Sequence, residues 1–182
     1  MDDFEKIEIP LSKGKLRIIL ILSVIFVAIG FWFIIYPPEI NNTILDIPTL
    51  LWVSGVSSIL FFGFCGYVVI KKIKDKRPGL IVDETGITDN SSGIAAGHIP
   101  WNDIIAIRSI KFATQNFIII IVRNPEKYID LQTKPALKKA VQYNHKNFGS
   151  PISISEASLK CNFKELEDIL NSALSKNKKS KK

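Results

Sequence analysis

The sequence predicts a membrane α-hairpin joined to a compact α+β domain in which several strands are closed by a C-terminal helix. Three observations carry that prediction. Two long apolar runs without a charged residue, 18–36 and 47–70, stand in the first half of the chain. A polar link containing two prolines separates them. Beyond residue 78 the pattern changes to short β-branched segments punctuated by turn residues, and it ends in an apolar stripe at helical spacing. With 182 residues, the chain has room for about one domain beside its membrane segments.

A bilayer core of roughly 30 Å requires about 20 apolar residues at helical rise. Ile18–Tyr36 just supplies them, and Ile47–Ile70 supplies them with some tilt. The first transmembrane helix is therefore placed at 16–36, an external loop at 37–48, and the second helix at 49–70. Pro37-Pro38 stops the first helix, and the acidic, Asn-rich stretch Glu39 to Asp46 supplies the turn. The competing reading is a pair of buried helices in a large soluble core, but so short a chain cannot cover both on all sides. A cleaved leader fits poorly, because the first run is too long and Asp2, Asp3, Glu5 and Glu8 precede it.

Orientation follows from the basic flanks. Lys6, Lys13, Lys15 and Arg17 precede the first helix, Lys71, Lys72, Lys74, Lys76 and Arg77 follow the second, and the link has no basic residue. The positive-inside rule puts the 1–15 segment, the 71–77 linker and both termini in the cytoplasm. Trp32, Tyr36 and Trp52 mark a shared outer interfacial belt. Neither span holds Asp, Glu, Lys, Arg or His, the residues on which ion and proton pathways depend in lipid, so the hairpin reads as an anchor. Ser54, Gly55, Ser57, Ser58, Gly63 and Gly66 suit close packing, against the first helix by preference or against a second copy.

Residues 78–175 form the domain. Leu80-Ile81-Val82 and Ile87-Thr88-Asp89 read as strands around the turn Asp83-Glu84-Thr85-Gly86, and Asn90-Ser91-Ser92-Gly93 is a second turn. Gly97 to Asp103, Ile104 to Arg108 and Phe117 to Val122 continue the strands, the last with little solvent exposure. Pro125 to Ile129 reads as a short helical turn. Thr133 is read as the cap of a helix with Pro135 in its first turn and Gly149 as its stop. Pro151 to Ser155 alternates like a half-buried strand. Asn162 and Glu165 form a capping box for a final helix with Phe163, Leu166, Ile169, Leu170, Ala173 and Leu174 on one face, and a basic tail follows at 176–182.

Four segments carry a resemblance: Lys6-Ile7-Glu8-Ile9-Pro10-Leu11-Ser12-Lys13, Gly86 to Gly93, Ile99-Pro100-Trp101-Asn102-Asp103-Ile104 and Asn124-Pro125-Glu126-Lys127-Tyr128-Ile129. Together they resemble a family of uncharacterised bacterial membrane proteins with two transmembrane helices and a pleckstrin-homology-like cytoplasmic domain. The resemblance covers nearly the whole chain and is most distinctive at Asp-Asn-Ser-Ser-Gly and Ile-Pro-Trp-x-Asp-Ile. It implies a pleckstrin-homology-like β-barrel or sheet closed by the C-terminal helix, and a multi-pass protein of the bacterial cytoplasmic (inner) membrane. It brings no catalytic residue to carry over. The helix after Thr133 is a departure, since a minimal barrel of this type has no need of it.

Little points to chemistry. His98 and His145 are the only histidines, with no Cys or carboxylate at metal spacing; His98 reads as a strand-edge side chain and His145 as a solvated helix residue. Gly93 to Gly97 lacks the spacing and lysine of a phosphate loop, and Ser91 and Ser92 lack a nucleophile elbow. Cys161 has no evident activating base, and Cys65 lies in the lipid-phase run, so the two are not expected to pair. No catalytic, cofactor-binding or metal residue is expected, and no cofactor.

The net charge of +7 comes from clusters without interleaved aromatics, which argues against nucleic acid. Lys71, Lys72, Lys74, Lys76, Arg77, Lys138 and Lys139 are candidates for contact with an anionic lipid surface, at about 1 kcal/mol each. The first five serve equally as a topology signal, and the tail equally as a disordered solubilising end. The expected function is a membrane-anchored, non-catalytic interaction module whose domain binds a protein partner or self-associates, through a strand edge or an open barrel mouth. The alternatives are an anionic-lipid surface sensor and an enzyme with an unrecognised site.

Overall fold

The computed structural model describes residues 5–37 and 47–180, with only the backbone of Ile47 and Ser180. Residues 1–4 of the N-terminal segment, residues 38–46 of the external loop, and Lys181 and Lys182 of the tail lie outside the described residues. The chain divides into two compact units: a helical hairpin, Lys13–Lys76, and a domain assembled from the residues up to Ser12 and from Arg77 onward.

The hairpin consists of α1 (Lys13–Ile35) and α2 (Ile47–Lys74). Mean hydropathy reaches 3.1 in α1 and 2.0 in α2, and both helices are long and apolar enough to cross a membrane. Only 11% and 17% of their most apolar windows are buried inside the protein, so they are not the covered core helices of a soluble fold. Their shared seam uses small residues. A Cβ on Gly30 would stand 2.8 Å from the Gly55 carbonyl oxygen, and one on Gly55 would stand 2.7 Å from that of Gly30. Only glycine permits backbones to approach so closely. Ser58 Oγ donates to the Phe26 carbonyl across the seam at 3.0 Å, and Phe26 stacks on Phe62 at 4.3 Å. Part of the small-residue set is spent elsewhere: Ser54 bonds back to the Leu51 carbonyl, and nothing lies near a Cβ position on Gly63. Helix α2 continues past Ile70, taking Lys71, Lys72 and Lys74 into its last turn, where cations offset the helix dipole.

The domain contains two antiparallel sheets. The first has the order β1 (Ile7–Ile9), β2 (Leu80–Val82), β3 (Gly86–Asp89), β4 (Gly97–Pro100). The second has the order β5 (Ile104–Phe112), β6 (Gln115–Val122), β7 (Ile152–Ile154). Strand β1 lies within the expected N-terminal segment, 1–15, and joins the first sheet. It precedes the hairpin yet pairs with β2 behind it, Ile7 opposite Val82 and Ile9 opposite Leu80. The alternation Ile7-Glu8-Ile9 explains this, because it gives a half-buried strand whose Ile9 joins the core.

Of the two forms expected, barrel or sheet, the closed barrel is not formed. Among the described residues no ladder joins the sheets, since the 3₁₀ turn Trp101–Asp103 interrupts the chain between β4 and β5. Side chains fill the space instead: Leu80, Val82, Ile87 and Ile99 of the first sheet share one core with Ile118, Ile120 and Ile154 of the second. Leu166, Leu170 and Ala173 of α5 (Phe163–Ser180) complete that core. The capping box of α5 is present, with the Glu165 N–H donating to Asn162 Oδ1 at 2.9 Å and the Asn162 N–H to Glu165 Oε2 at 3.4 Å. Lysine is a good helix former, and α5 runs on through Lys176–Lys179 rather than ending before a tail.

Helices α3 (Pro125–Asp130) and α4 (Pro135–Phe148) account for the unbroken isoleucine run of β6. Ile118 and Ile120 face the core, so by strand alternation Ile119 faces the opposite side, where it is nonetheless fully buried. Ile129 of α3 and Val141 of α4 are buried outside the main core too, and α4 packs on α3 and β7. The helix that a minimal barrel does not need thus covers a second face of the sheet. Its N-cap is Lys134 rather than Thr133, without a side-chain bond, and Pro135 satisfies the first turn by lacking an N–H. Gly149 ends it in the left-handed conformation, φ 79°, as its position in the sequence suggests.

Candidate functional site

The most distinctive sequence segments prove to be braces. Asp89 is buried, and its carboxylate accepts from the Ser91 N–H at 2.8 Å, Ser91 Oγ at 2.6 Å and the Ala96 N–H at 3.1 Å, which shapes the Asp-Asn-Ser-Ser-Gly turn. Trp101 Nε1 donates to the Asp83 carbonyl at 2.8 Å. Asp103 Oδ2 accepts from Lys127 Nζ at 2.7 Å and from Tyr128 OH at 2.8 Å, tying the Trp101–Asp103 turn to α3. Asn124 caps α3 through the Lys127 N–H. Two of the segments that carried the resemblance therefore meet at a single carboxylate.

The Lys127 hydrogen bond, and then that of Tyr128, hold the Asp103 carboxyl below its ordinary range. Burial, reinforced by the Asp103 bond, pushes the Tyr128 phenol well above 10. A carboxylate occupied by two donors and a phenol kept protonated suit cohesion rather than proton transfer. Because the folded-state pKa of Asp103 is depressed, its stabilisation is complete above about pH 5 and fades as pH falls below about 4. Asp103→Asn is expected to cost about 1–2 kcal/mol at neutral pH and to lose part of that acid limb. Melting temperature measured against pH for both proteins checks this, and superimposable curves would refute it.

The sequence-predicted lysines fall in different places. Lys71, Lys72, Lys74 and Lys76 belong to the hairpin unit, with Lys71 Nζ 4.7 Å from the centre of the Tyr67 ring. Arg77, Lys138 and Lys139 belong to the domain. Lys138 pairs with Asp130 at 2.8 Å, whereas Lys139 is exposed. His98 stands exposed on edge strand β4 with Nδ1 3.0 Å from Thr88 Oγ1. His145 differs from its expected solvation: it is half-buried, and its Nδ1 is enclosed without a hydrogen-bond partner. Cys65 and Cys161 are free thiols, and Cys161 packs against the core. Among the described residues no cluster of His, Cys, Asp or Glu has the arrangement to hold a metal ion.

One concave feature was not located from sequence. A groove of about 370 Å³ lies between the β1 segment and α5, lined by Glu5, Ile7, Asp168, Ile169, Ser172, Ala173 and Lys176. Strand β1 is the outermost of its sheet. The Gly79 N–H reaches the Ile9 carbonyl, so Ile9 turns its backbone toward β2 and Glu8 turns its own away from it, toward the open edge. Past Ile9 the edge is occupied: the Lys160 N–H donates to the Pro10 carbonyl at 2.9 Å, and the Ser12 N–H to the Ser158 carbonyl at 2.8 Å. Among the described residues this short edge has no outer ladder partner, and beside an apolar-floored groove walled by Glu5, Asp168 and Lys176 it can accept an extended segment by strand addition. Period-two alternation at residues 7–9 was the available signal, but nothing in the sequence pairs that segment with α5. Comparisons with family models, with curated proteins and with solved structures give no match.

Proposed function

We propose that the chain is a membrane-anchored, non-catalytic interaction module of the bacterial cytoplasmic membrane, whose cytoplasmic domain takes up an extended segment of a protein partner, or of a second copy, along β1. The open β1 edge beside the groove is the observation that carries this reading. The uncharged, mutually packed helices support the anchor. The β1–β2 pairing supports an even number of crossings, because it requires both ends of the hairpin to emerge on one side. The basic flanks favour the cytoplasmic side for that domain. Strands in a four-plus-three arrangement followed by one amphipathic closing helix support a pleckstrin-homology-like domain. Ile7, Ile169 and Ala173 in the groove, with Glu5, Asp168 and Lys176 around them, favour a segment whose apolar side chains alternate with polar or charged ones.

The test uses the full chain in its native membrane with a photo-crosslinking residue in place of Ser172. Irradiation should give a discrete adduct, either of partner size or of twice the chain mass. Glu8→Pro should abolish it: this N–H points away from β2, so proline blocks the outer edge while sparing the ladder. Recovery of uncrosslinked monomer alone would reject the proposal.

A further inference from the structure

An exposed aromatic cluster stands where the β5–β6 hairpin meets the end of α4. Phe112 is 49% and Tyr143 55% exposed, although both are large and ring-bearing. Phe148 lies between them, its ring 5.4 Å from that of Phe112 and 6.5 Å from that of Tyr143. The hairpin tip beside them, Ala113-Thr114, is exposed as well, with Ala113 at φ 52°. The stretch that carries Tyr143 and Phe148 has charge of one sign. From residue 131 to residue 155 there is no carboxylate, while Lys134, Lys138, Lys139 and Lys146 all fall in this stretch. Lys138 is engaged with Asp130; Lys139 and Lys146 are exposed. Lys111 is turned to the other face of β5 by strand alternation.

From these observations we infer that Phe112, Tyr143 and Phe148, with Lys139 and Lys146, form a docking face for the interfacial zone of an anionic bilayer. Aromatic rings favour the headgroup level of a membrane, and lysines around them gain from a negative leaflet. An acidic protein surface would match the lysines equally, but the domain is tied in one chain to the hairpin at Ser12 and Arg77, which keeps a bilayer at high effective concentration. The inference rests on the hairpin being the anchor, and it gives α4 a role beyond covering the sheet.

The full chain, with Cys65→Ala and Cys161→Ala, is reconstituted in phosphatidylcholine nanodiscs with or without phosphatidylglycerol. Single cysteines replacing Thr114, Glu84 or Leu60 carry an environment-sensitive fluorophore, and nitroxide lipids act as quenchers. The Thr114 label should be quenched by headgroup nitroxides in anionic discs and much less in neutral ones, while the Glu84 label stays unquenched. Lys139→Ala and Lys146→Ala should each lower the docked-to-free ratio about fivefold. Absence of Thr114 quenching in anionic discs, with Leu60 quenched by acyl-chain nitroxides, overturns the docking face and leaves the anchor intact. An unquenched Leu60 overturns the anchor and the docking face together. A Thr114 response that follows the number of chains per disc instead of lipid charge would assign the face to a second copy and overturn the lipid assignment.

Discussion

A chain lacking residues 1–9 is expected to keep its helical hairpin and to lose about 3–5 kcal/mol of stability in the domain beyond it. Ile9 is only 4% exposed and belongs to the shared core, so its loss alone approaches the cost of truncating a buried isoleucine. The ladder to Leu80–Val82 goes with it and leaves β2 as a bare edge. Hydrogen exchange reads the effect directly: amides of β2 should lose protection in the truncated chain, and those of α1 and α2 should not. Ile9→Ala should reproduce about 2–4 kcal/mol of the loss, whereas Glu8→Ala on the open edge should change stability by less than about 0.5 kcal/mol. Unaltered β2 protection after truncation would mean that the N-terminal strand is dispensable.

The second large effect is expected at Gly86. A Cβ built there falls 2.2 Å from the Ile99 carbonyl oxygen and 2.9 Å from the Ile99 carbonyl carbon and Pro100 Cα. All three are backbone atoms of the paired strand, so no rotamer change relieves the clash; β3 and β4 must separate. Gly86→Ala should therefore cost about 3 kcal/mol, the upper end of overpacking penalties, despite adding a single methyl group. Gly63→Ala in α2, where nothing lies within 4 Å, adds the same methyl group without a clash and should not destabilise the protein. Equal melting temperatures for the Gly86 variant and the parent would refute this account.

The hairpin was legible in the sequence because a membrane span is a one-dimensional signal: length without charge, bounded by Pro37 on one side and lysines on the other. The capping box at Asn162, the stop at Gly149 and the short strands Leu80–Val82 and Ile87–Asp89 were legible because each depends on neighbours a few residues away. The misplacements depend on distant residues. Thr133 has the chemistry of a cap, yet Lys134 takes the position because α4 is located by packing on β7 and α3. Strand β5 reaches Phe112 rather than Arg108, since its outer half, where Ser109 and Lys111 interrupt the apolar run, is ordered by pairing with β6. Glu5 and Asp168 become neighbours of one groove only when β1 is known to reach α5. The contact of Asp103 with Lys127 and Tyr128 likewise joins two motifs that were each visible but not visibly related.

Strand β1 is synthesised before either apolar helix, and its partner β2 after both. With the hairpin as a membrane anchor, the first sheet becomes a record of completed insertion. A nascent chain with only one helix across the bilayer would leave β1 and β2 in different compartments, and no amount of time would let them meet. Misinserted chains would keep β2 as a bare edge, while correctly threaded ones can close the sheet. The same arrangement means that after a single cut at Arg77 the domain is held to the membrane-bound fragment only by the noncovalent contacts of β1 and residues 10–12, a grip in about the millimolar range.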